Sequence, residues 1–353
     1  MDNKKFGFKK QFASFAILIL LIAITFWIIN SQFQEIDINV LMTTLKRMSP
    51  MFLLAGIACL FMYIIFEGMC MSVIARPLGH KIGFIRATIY SAIDLYFSAL
   101  TPSATGGQPA VAYYMAKDGI GLTKSSTILL VNIAQYTMSL ILMGLVVLIA
   151  RPRLITSGGW GMTALFVFGF VINVVLIVIC LMCMFSQRLV RRVCKVVLRL
   201  LCKLHLMKHE EEKLLALEGH LADYKECVTL VKARPGMLAI VLLLNTLQRF
   251  ATFSIAYMVY RGLGFSGYSY WDLIAIQTVT AVAVNSLPLP GAVGAAEGAF
   301  LVLYAGVYSP TMLMPAMLLT RGISYYLCFV ICGTITISNH IRVVKRAGGK
   351  NRC

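Results

Sequence analysis

The stretch at positions 286–298, SLPLPGAVGAAEG, interrupts an apolar region that would otherwise form one continuous helix. Its prolines remove backbone donors and its glycines relax the backbone, so a regular helix cannot continue through it. Unsatisfied backbone groups cannot face lipid, so the break must lie against protein or a water-filled cavity. A second break, TPSATGGQP at positions 101–109, lies in the first half of the chain. Paired breaks of this kind are typical of transporters.

The composition supports a membrane protein. Hydrophobic residues make up 59% of the 353 positions and the mean hydropathy is +0.82, more than a soluble core requires. The formal net charge is +18, but the basic residues are concentrated in segments that would share one side of a membrane. This asymmetry predicts cytosolic N- and C-termini, and it favours anionic lipid over nucleic acid as the partner of the positive charge.

The hydropathy pattern predicts an all-α polytopic fold. We expect six full spans and two re-entrant hairpins that start from opposite faces, as an inverted repeat would give. The predicted spans are 12–30, 51–75, 125–150, 161–185, 236–260 and 311–339, and the hairpins are 84–118 and 273–308. The first membrane half is then 1–185, the second is 236–340, and each break ends on an amide or an acid, Gln108 or Glu297.

Two polar segments complete the predicted organisation. The segment 186–235 is a cytosolic helical insert, and 341–353 is a basic cytosolic tail. Basic residues recur at helical spacing in the insert, which predicts an amphipathic helix on the inner leaflet. This basic face comprises Arg188, Arg192, Lys195, Arg199 and Lys203.

Charged residues inside apolar segments are the first functional candidates, because a charge in the bilayer requires a partner or water. They are Glu67, Asp94, Arg249, Glu297 and Arg321. One alternative is a purely structural ion pair between Arg249 and either Glu297 or Asp94. For Arg321 the alternative is a side chain that extends to the membrane surface.

The backbone of the breaks supplies a second kind of candidate. Helices that begin after Gly107 and Gly294 would present free amides and a positive dipole end, which attract anionic groups such as phosphate. The alternative is that these glycines only permit close packing.

Signatures of catalysis are absent from the sequence. There is no nucleophile motif, phosphate loop or nucleotide fingerprint, and the five histidines have no metal-ligand spacing with carboxylates. We therefore expect no cofactor and no metal, and we do not expect the chain to be an enzyme on its own.

Three motifs resemble one known family. They are TPSATGGQPAVAYYM (101–115), NSLPLPGAVGAAEGAFLVLYAGV (285–307) and LLTRGISYYLCFVICG (318–333). Their order and spacing resemble the lysylphosphatidylglycerol synthase transmembrane region, which is the flippase-like domain of the multiple peptide resistance factor. The family pattern often has Glu where this chain has Gln108, which removes one counter-charge for a cationic headgroup.

The resemblance implies a multi-pass protein of the bacterial cell membrane that moves phospholipid between leaflets. The lipid would be anionic or lysylated, such as lysyl-phosphatidylglycerol, and its movement would contribute to resistance against cationic antimicrobial peptides. Full-length relatives carry a separate tRNA-dependent transferase domain, which we expect this chain to lack, since it continues only to Cys353.

Two alternatives stay open. The chain could be the membrane component of a phosphatidylglycerol lysyltransferase system that docks a separate synthase domain, or it could be a small-solute transporter. A homo-oligomer is a further possible partner arrangement. For the leading hypothesis, the substrate path is predicted to include Asp94, Thr101, Gly106, Gly107, Gln108, Arg249, Asn285, Gly291, Gly294, Glu297, Arg321 and Tyr325.

Overall fold

The computed structural model describes residues 38–185 and 223–350, and every regular element in these ranges is a helix. The predicted all-α polytopic class is confirmed. Five helical segments are long and apolar enough to cross a membrane: Pro50–Leu78, Leu122–Ala150, Gly159–Met184, Pro235–Gly262 and Pro310–Lys345. They coincide with the second to sixth predicted spans. The first predicted span, 12–30, and the basic face of the insert lie outside the described residues.

The helices are numbered here in chain order. They are α1 (Ile38–Arg47), α2 (Pro50–Ala75), α3 (Phe84–Leu100), α4 (Gly107–Lys117), α5 (Leu122–Ala150), α6 (Pro152–Thr156), α7 (Gly159–Phe185), α8 (Pro235–Gly262), α9 (Tyr270–Val284), α10 (Ala295–Leu303), α11 (Pro310–Arg321) and α12 (Cys328–Lys350). A π-helical segment, Gly322–Leu327, joins α11 to α12, and residues 223–232 are also helical.

The two breaks have the same local design. A 3₁₀ turn, Pro102–Ala104, joins α3 to α4, and a second one, Pro290–Ala292, joins α9 to α10. In both, a proline lies four residues before the glycine that caps the following helix, which is Gly106 or Gly294. The two residues after each proline have left-handed backbones, with φ between 52° and 58°. This repeated geometry is what an inverted repeat predicts.

The first residues of α4 and α10 show that Gln108 and Glu297 do not occupy equivalent positions, which corrects the predicted correspondence between the breaks. Because α4 begins at Gly107, Gln108 is its second residue. Because α10 begins at Ala295, Glu297 is its third residue. The amide and the acid are therefore not equivalent in the repeat.

The two hairpins meet. Helix α3 packs on α4 and α9 packs on α10, and the two 3₁₀ turns contact each other. Three long helices, α5, α7 and α8, separate the hairpins along the chain. If each crosses the membrane once and the polar segment 186–222 stays on one side, the hairpins start from opposite faces and touch at their tips.

Glycines set two close contacts that position the hairpins. A Cβ on Gly68 of α2 would lie 2.7 Å from the carbonyl carbon and oxygen of Ala87 in α3. A Cβ on Gly169 of α7 would lie 2.0 Å from the carbonyl oxygen of Val282 in α9. In each case only glycine lets a full span approach the backbone of a hairpin helix.

Candidate functional site

A polar cavity of about 240 Å³ lies beside the second break. Four residues of the predicted path line it: Arg249, Asn285, Arg321 and Tyr325. The other lining residues are Tyr63, Tyr136, Thr252, Phe253, Gln277, Thr280, Ala281, Val284, Ala296, Phe300, Thr320 and Ser324. This lining contains two arginines and no carboxylate. Arg321 is paired with Glu297, so the charge that favours an anionic occupant is mainly that of Arg249.

Arg249 is almost completely buried, with 2% of its surface exposed. Its Nε donates to Ser139 Oγ at 2.9 Å, and an Nη2 hydrogen donates to the carbonyl oxygen of Tyr136 at 2.9 Å. Its guanidinium carbon also lies 3.8 Å from the centroid of the Tyr136 ring, a cation–π contact. The alternative of an ion pair with Glu297 or Asp94 is wrong, because neither residue is a salt-bridge partner of Arg249 in the described part of the chain.

Arg321 forms the ion pair that Arg249 lacks. Its Nε donates to Glu297 Oε1 at 2.7 Å, and Nη2 donates to the carbonyl oxygen of Gly291 at 3.3 Å. The other oxygen of Glu297 accepts the amide hydrogen of Gly294 at 2.7 Å. Arg321 therefore turns toward the break and does not extend to a surface. The amide of Gly294 is already occupied by Glu297 and is not free for a ligand.

The break and the π-helical segment fit together at a glycine. Gly291 has a φ of +58°, and a Cβ there would lie 2.2 Å from Tyr325 Oη. Tyr325 belongs to the π-helical segment. The guanidinium carbon of Arg321 lies 4.5 Å from the centroid of the Tyr325 ring. π-Helical turns are frequent at functional sites because they widen the helix and redirect its side chains. Here the widened turn follows directly on Arg321.

Two hydroxyl groups in the cavity wall have no hydrogen-bond partner within the described residues. They are Thr320 Oγ1 and Tyr325 Oη, and both atoms are buried. A buried polar group without a partner is costly, so native structures usually satisfy it with protein, water or a ligand. Both hydroxyls are thus available to a polar molecule in the cavity.

The first break supplies no lining residue to this cavity. Thr101 and Gly106 complete their own turn, because Thr101 Oγ1 accepts the Gly106 amide hydrogen at 2.8 Å. Gly107 packs against Asp94, where a Cβ would lie 1.9 Å from Asp94 Oδ1. Gln108 is half-buried. The structure thus groups one part of the predicted path around the cavity and leaves the other part around Asp94.

Glu67 lies near Asp94 and does not line the cavity. Both residues are buried, and their carboxyl groups are close enough to interact directly. Gln248 of α8 donates from Nε2 to Glu67 Oε2 at 3.2 Å. The intramembrane charges therefore form three separate arrangements: a buried arginine, an arginine–glutamate pair and a carboxyl pair.

An apolar groove of about 620 Å³ adjoins the polar cavity. Helices α5, α8 and α9 form it, and its lining includes Leu142, Val146 and Leu243, all with exposed side chains. Ser139 also lines the groove, and its hydroxyl is the one that accepts from Arg249. The hydrogen bond between Ser139 and Arg249 therefore joins the lining of the apolar groove to the lining of the polar cavity.

The sequence analysis missed several residues of this site. Tyr136 and Ser139 hold Arg249, and Gln277, which also lines the cavity, donates to Tyr304 Oη at 2.9 Å. The spacing of Tyr136 and Ser139 is the sequence feature that could have identified them. Residues three apart share a helix face, and both are polar in an apolar helix.

Comparison with known proteins agrees with the motifs. A search of curated proteins found no match. The family model described as "Lysylphosphatidylglycerol synthase TM region" matches residues 11–332, nearly the whole chain. The chain therefore belongs to the family of the lysylphosphatidylglycerol synthase transmembrane region.

Proposed function

We propose that this protein is a lipid flippase or scramblase that holds the phosphate of a phospholipid headgroup in the polar cavity. The observation that carries the proposal is the pair of arginines, Arg249 and Arg321, in a cavity whose lining has no carboxylate. Arginine presents a planar fork of donors that matches phosphate. The hydrogen bonds described for Arg249 use two of its five N–H groups.

The neighbouring apolar groove supports a lipid over a small polar solute. A phospholipid needs one surface for its headgroup and another for its acyl chains. The hydrogen bond between Ser139 and Arg249 joins the linings of the polar cavity and the groove, so one molecule could contact both. A small anion would leave the groove without a role.

Lysyl-phosphatidylglycerol is the substrate that the family suggests. Its headgroup carries a phosphate and also ammonium groups. Glu297 bonds Arg321 of the cavity, and an arriving ammonium group would compete with Arg321 for it. The ion pair would then open when a lysylated headgroup binds.

The test is headgroup translocation by the purified protein in liposomes. It would compare lysyl-phosphatidylglycerol, phosphatidylglycerol and a glycolipid without phosphate. We expect the two phospholipids to move and the glycolipid not to move. Arg249→Gln and Arg321→Gln should each slow movement about 10- to 100-fold, because each removes a charged hydrogen bond of about 1.5–3 kcal/mol.

The matched control is Arg153→Gln, which changes an exposed arginine of α6 that lines neither the cavity nor the groove. It should transport at the wild-type rate. Wild-type rates in folded Arg249→Gln and Arg321→Gln proteins would show that the cavity does not hold the headgroup. Equal movement of the glycolipid would show that phosphate is not recognised.

A further inference from the structure

A second polar cluster lies between α2, α3 and α8, outside the polar cavity. We propose that Glu67 and Asp94 form a proton-binding site within the membrane, in which the two carboxyl groups hold one proton between them. The site stands on its own geometry. Its link to transport rests on the proposed function.

Burial and contact are the first step. Glu67 is 6% exposed and Asp94 is 7% exposed, and the two carboxyl groups are close enough to interact directly. Two carboxylates in contact, away from water, cannot both be ionised, because like charges at that distance repel strongly. A proton shared between the two groups removes this repulsion, because one carboxyl group then donates to the other.

Two buried oxygen atoms of the cluster lack a hydrogen-bond donor in the described part of the chain. Asp94 Oδ1 is buried and has no hydrogen-bond donor within the described residues, and the same is true of Gln248 Oε1. Gln248 is fully buried and is joined to the cluster through its Nε2, which donates to Glu67 Oε2 at 3.2 Å. A proton on the carboxyl pair would supply a donor at the site where Asp94 lacks one.

The first hairpin decides which carboxyl group keeps the charge. Asp94 Oδ1 packs against Gly107, the first residue of α4. The N-terminus of a helix stabilises a negative charge through its dipole. Glu67 lies in the middle of a full span and has the Gln248 amide as a neighbour. The proton is therefore assigned to Glu67, and the charge to Asp94.

No cation forms a salt bridge with Glu67 or Asp94 within the described residues. The titratable groups that act on Glu67 or its immediate neighbours are Asp94 of α3, Tyr63 and Cys70 of α2, Tyr136 of α5, and Cys328 and Cys332 of α12. Arg249 of α8 acts on Tyr63 but is bonded to Ser139 and Tyr136. Release of the proton therefore leaves two negative charges facing each other.

This repulsion would act where α2 packs against the first hairpin. Glu67 belongs to a full span, whereas Asp94 belongs to the first hairpin and touches both of its arms. Gly68, beside Glu67, is where the backbone of α2 meets that of α3. Proton release would push the hairpin away from α2, and the tip of that hairpin contacts the second break. Proton occupancy would thus be coupled to the geometry beside the polar cavity.

Infrared difference spectroscopy of the purified protein in nanodiscs tests the site without any lipid assay. We expect a band from a protonated carboxylic acid at neutral pH, which disappears as the pH is raised. Glu67→Gln should abolish this band, and Asp94→Asn should shift its titration to lower pH because the like charge is gone. Glu297→Gln, which changes an acid already paired with Arg321, should leave the band in place.

The Glu67→Gln variant is expected to remain folded, because its side-chain amide can donate to Asp94 as the protonated acid does. Absence of the band in the wild-type protein, or its survival in Glu67→Gln, would overturn the proposal. So would a spectral change that follows sodium concentration and not pH.

The coupling of proton binding to lipid movement is measured separately, in liposomes with an imposed pH gradient. The gradient should accelerate lipid movement in the wild-type protein, and the ratio of rates with and without the gradient should fall to unity in Glu67→Gln. A gradient effect that persists in Glu67→Gln would refute the coupling. If the wild-type protein moves no lipid at all, the proposed function fails, while the infrared result still decides the proton site.

Discussion

Arg321 and Glu297 form an ion pair across the second break, with Nε of the arginine 2.7 Å from Oε1 of the glutamate. Both side chains are mostly buried, at 15% and 17% exposure. Breaking a buried pair by removing one partner costs about 3 kcal/mol, because the other charge is left without compensation. We therefore expect Arg321→Ala to lower the thermal stability of the purified protein. The double variant with Glu297→Ala should lose less than the sum of the two single variants. Additive losses would contradict the pairing.

The contact between Gly291 and Tyr325 gives a prediction about the break itself. Gly291→Ala should destabilise the protein by about 2 kcal/mol or more, because the new Cβ overlaps the Tyr325 ring and the left-handed backbone is unfavourable for alanine. Gly298→Ala is the matched control, since that glycine lies in helix α10 with open space around it. The control should be neutral or slightly stabilising. Thermal unfolding measures both, and equal behaviour of the two variants would show that the close contact is not formed.

The packing of α7 on α9 depends on Gly169. Gly169→Ala places a methyl group against the carbonyl oxygen of Val282, so the second hairpin must move away from α7. The same contact region includes Asn173, whose Nδ2 donates to Ser286 Oγ at 2.9 Å. We expect reduced stability and faster proteolysis near positions 285–294. Gly161→Ala, in the first turn of the same helix with no atom nearby, should match the wild type. Protection of 285–294 that is unchanged in Gly169→Ala would argue against this docking.

The apolar groove can be tested by filling it. Ala239 is exposed and lines the groove, whereas its neighbour Ile240 is exposed and does not. If acyl chains use the groove, Ala239→Trp should slow lipid movement in liposomes and Ile240→Trp should not. The two variants add the same side chain at adjacent surface positions, so they control for expression and for general effects of tryptophan. Equal rates for both would exclude the groove from the lipid path.

Sequence alone determined the class of this protein and the approximate positions of the helices in its described part. Long apolar runs can only be helices that cross a membrane, and the prolines and glycines at 101–109 and 286–298 can only interrupt them. The observed hairpin helices, Phe84–Leu100 with Gly107–Lys117 and Tyr270–Val284 with Ala295–Leu303, lie close to the predicted ranges for that reason. The motifs were also sufficient to identify the family, because their order and spacing are local features of the chain.

The tertiary structure decided which intramembrane charges meet. Sequence identified Arg249, Arg321, Glu297, Asp94 and Glu67 as costly, but it could not choose their partners, because a partner lies on another helix and depends on how the helices are rotated and packed. The contact of Arg249 with Ser139, the pairing of Arg321 with Glu297 and the meeting of Glu67 with Asp94 all follow from that packing. Glycines at 68 and 169 set part of this packing, and their effect depends on the backbone that faces each of them.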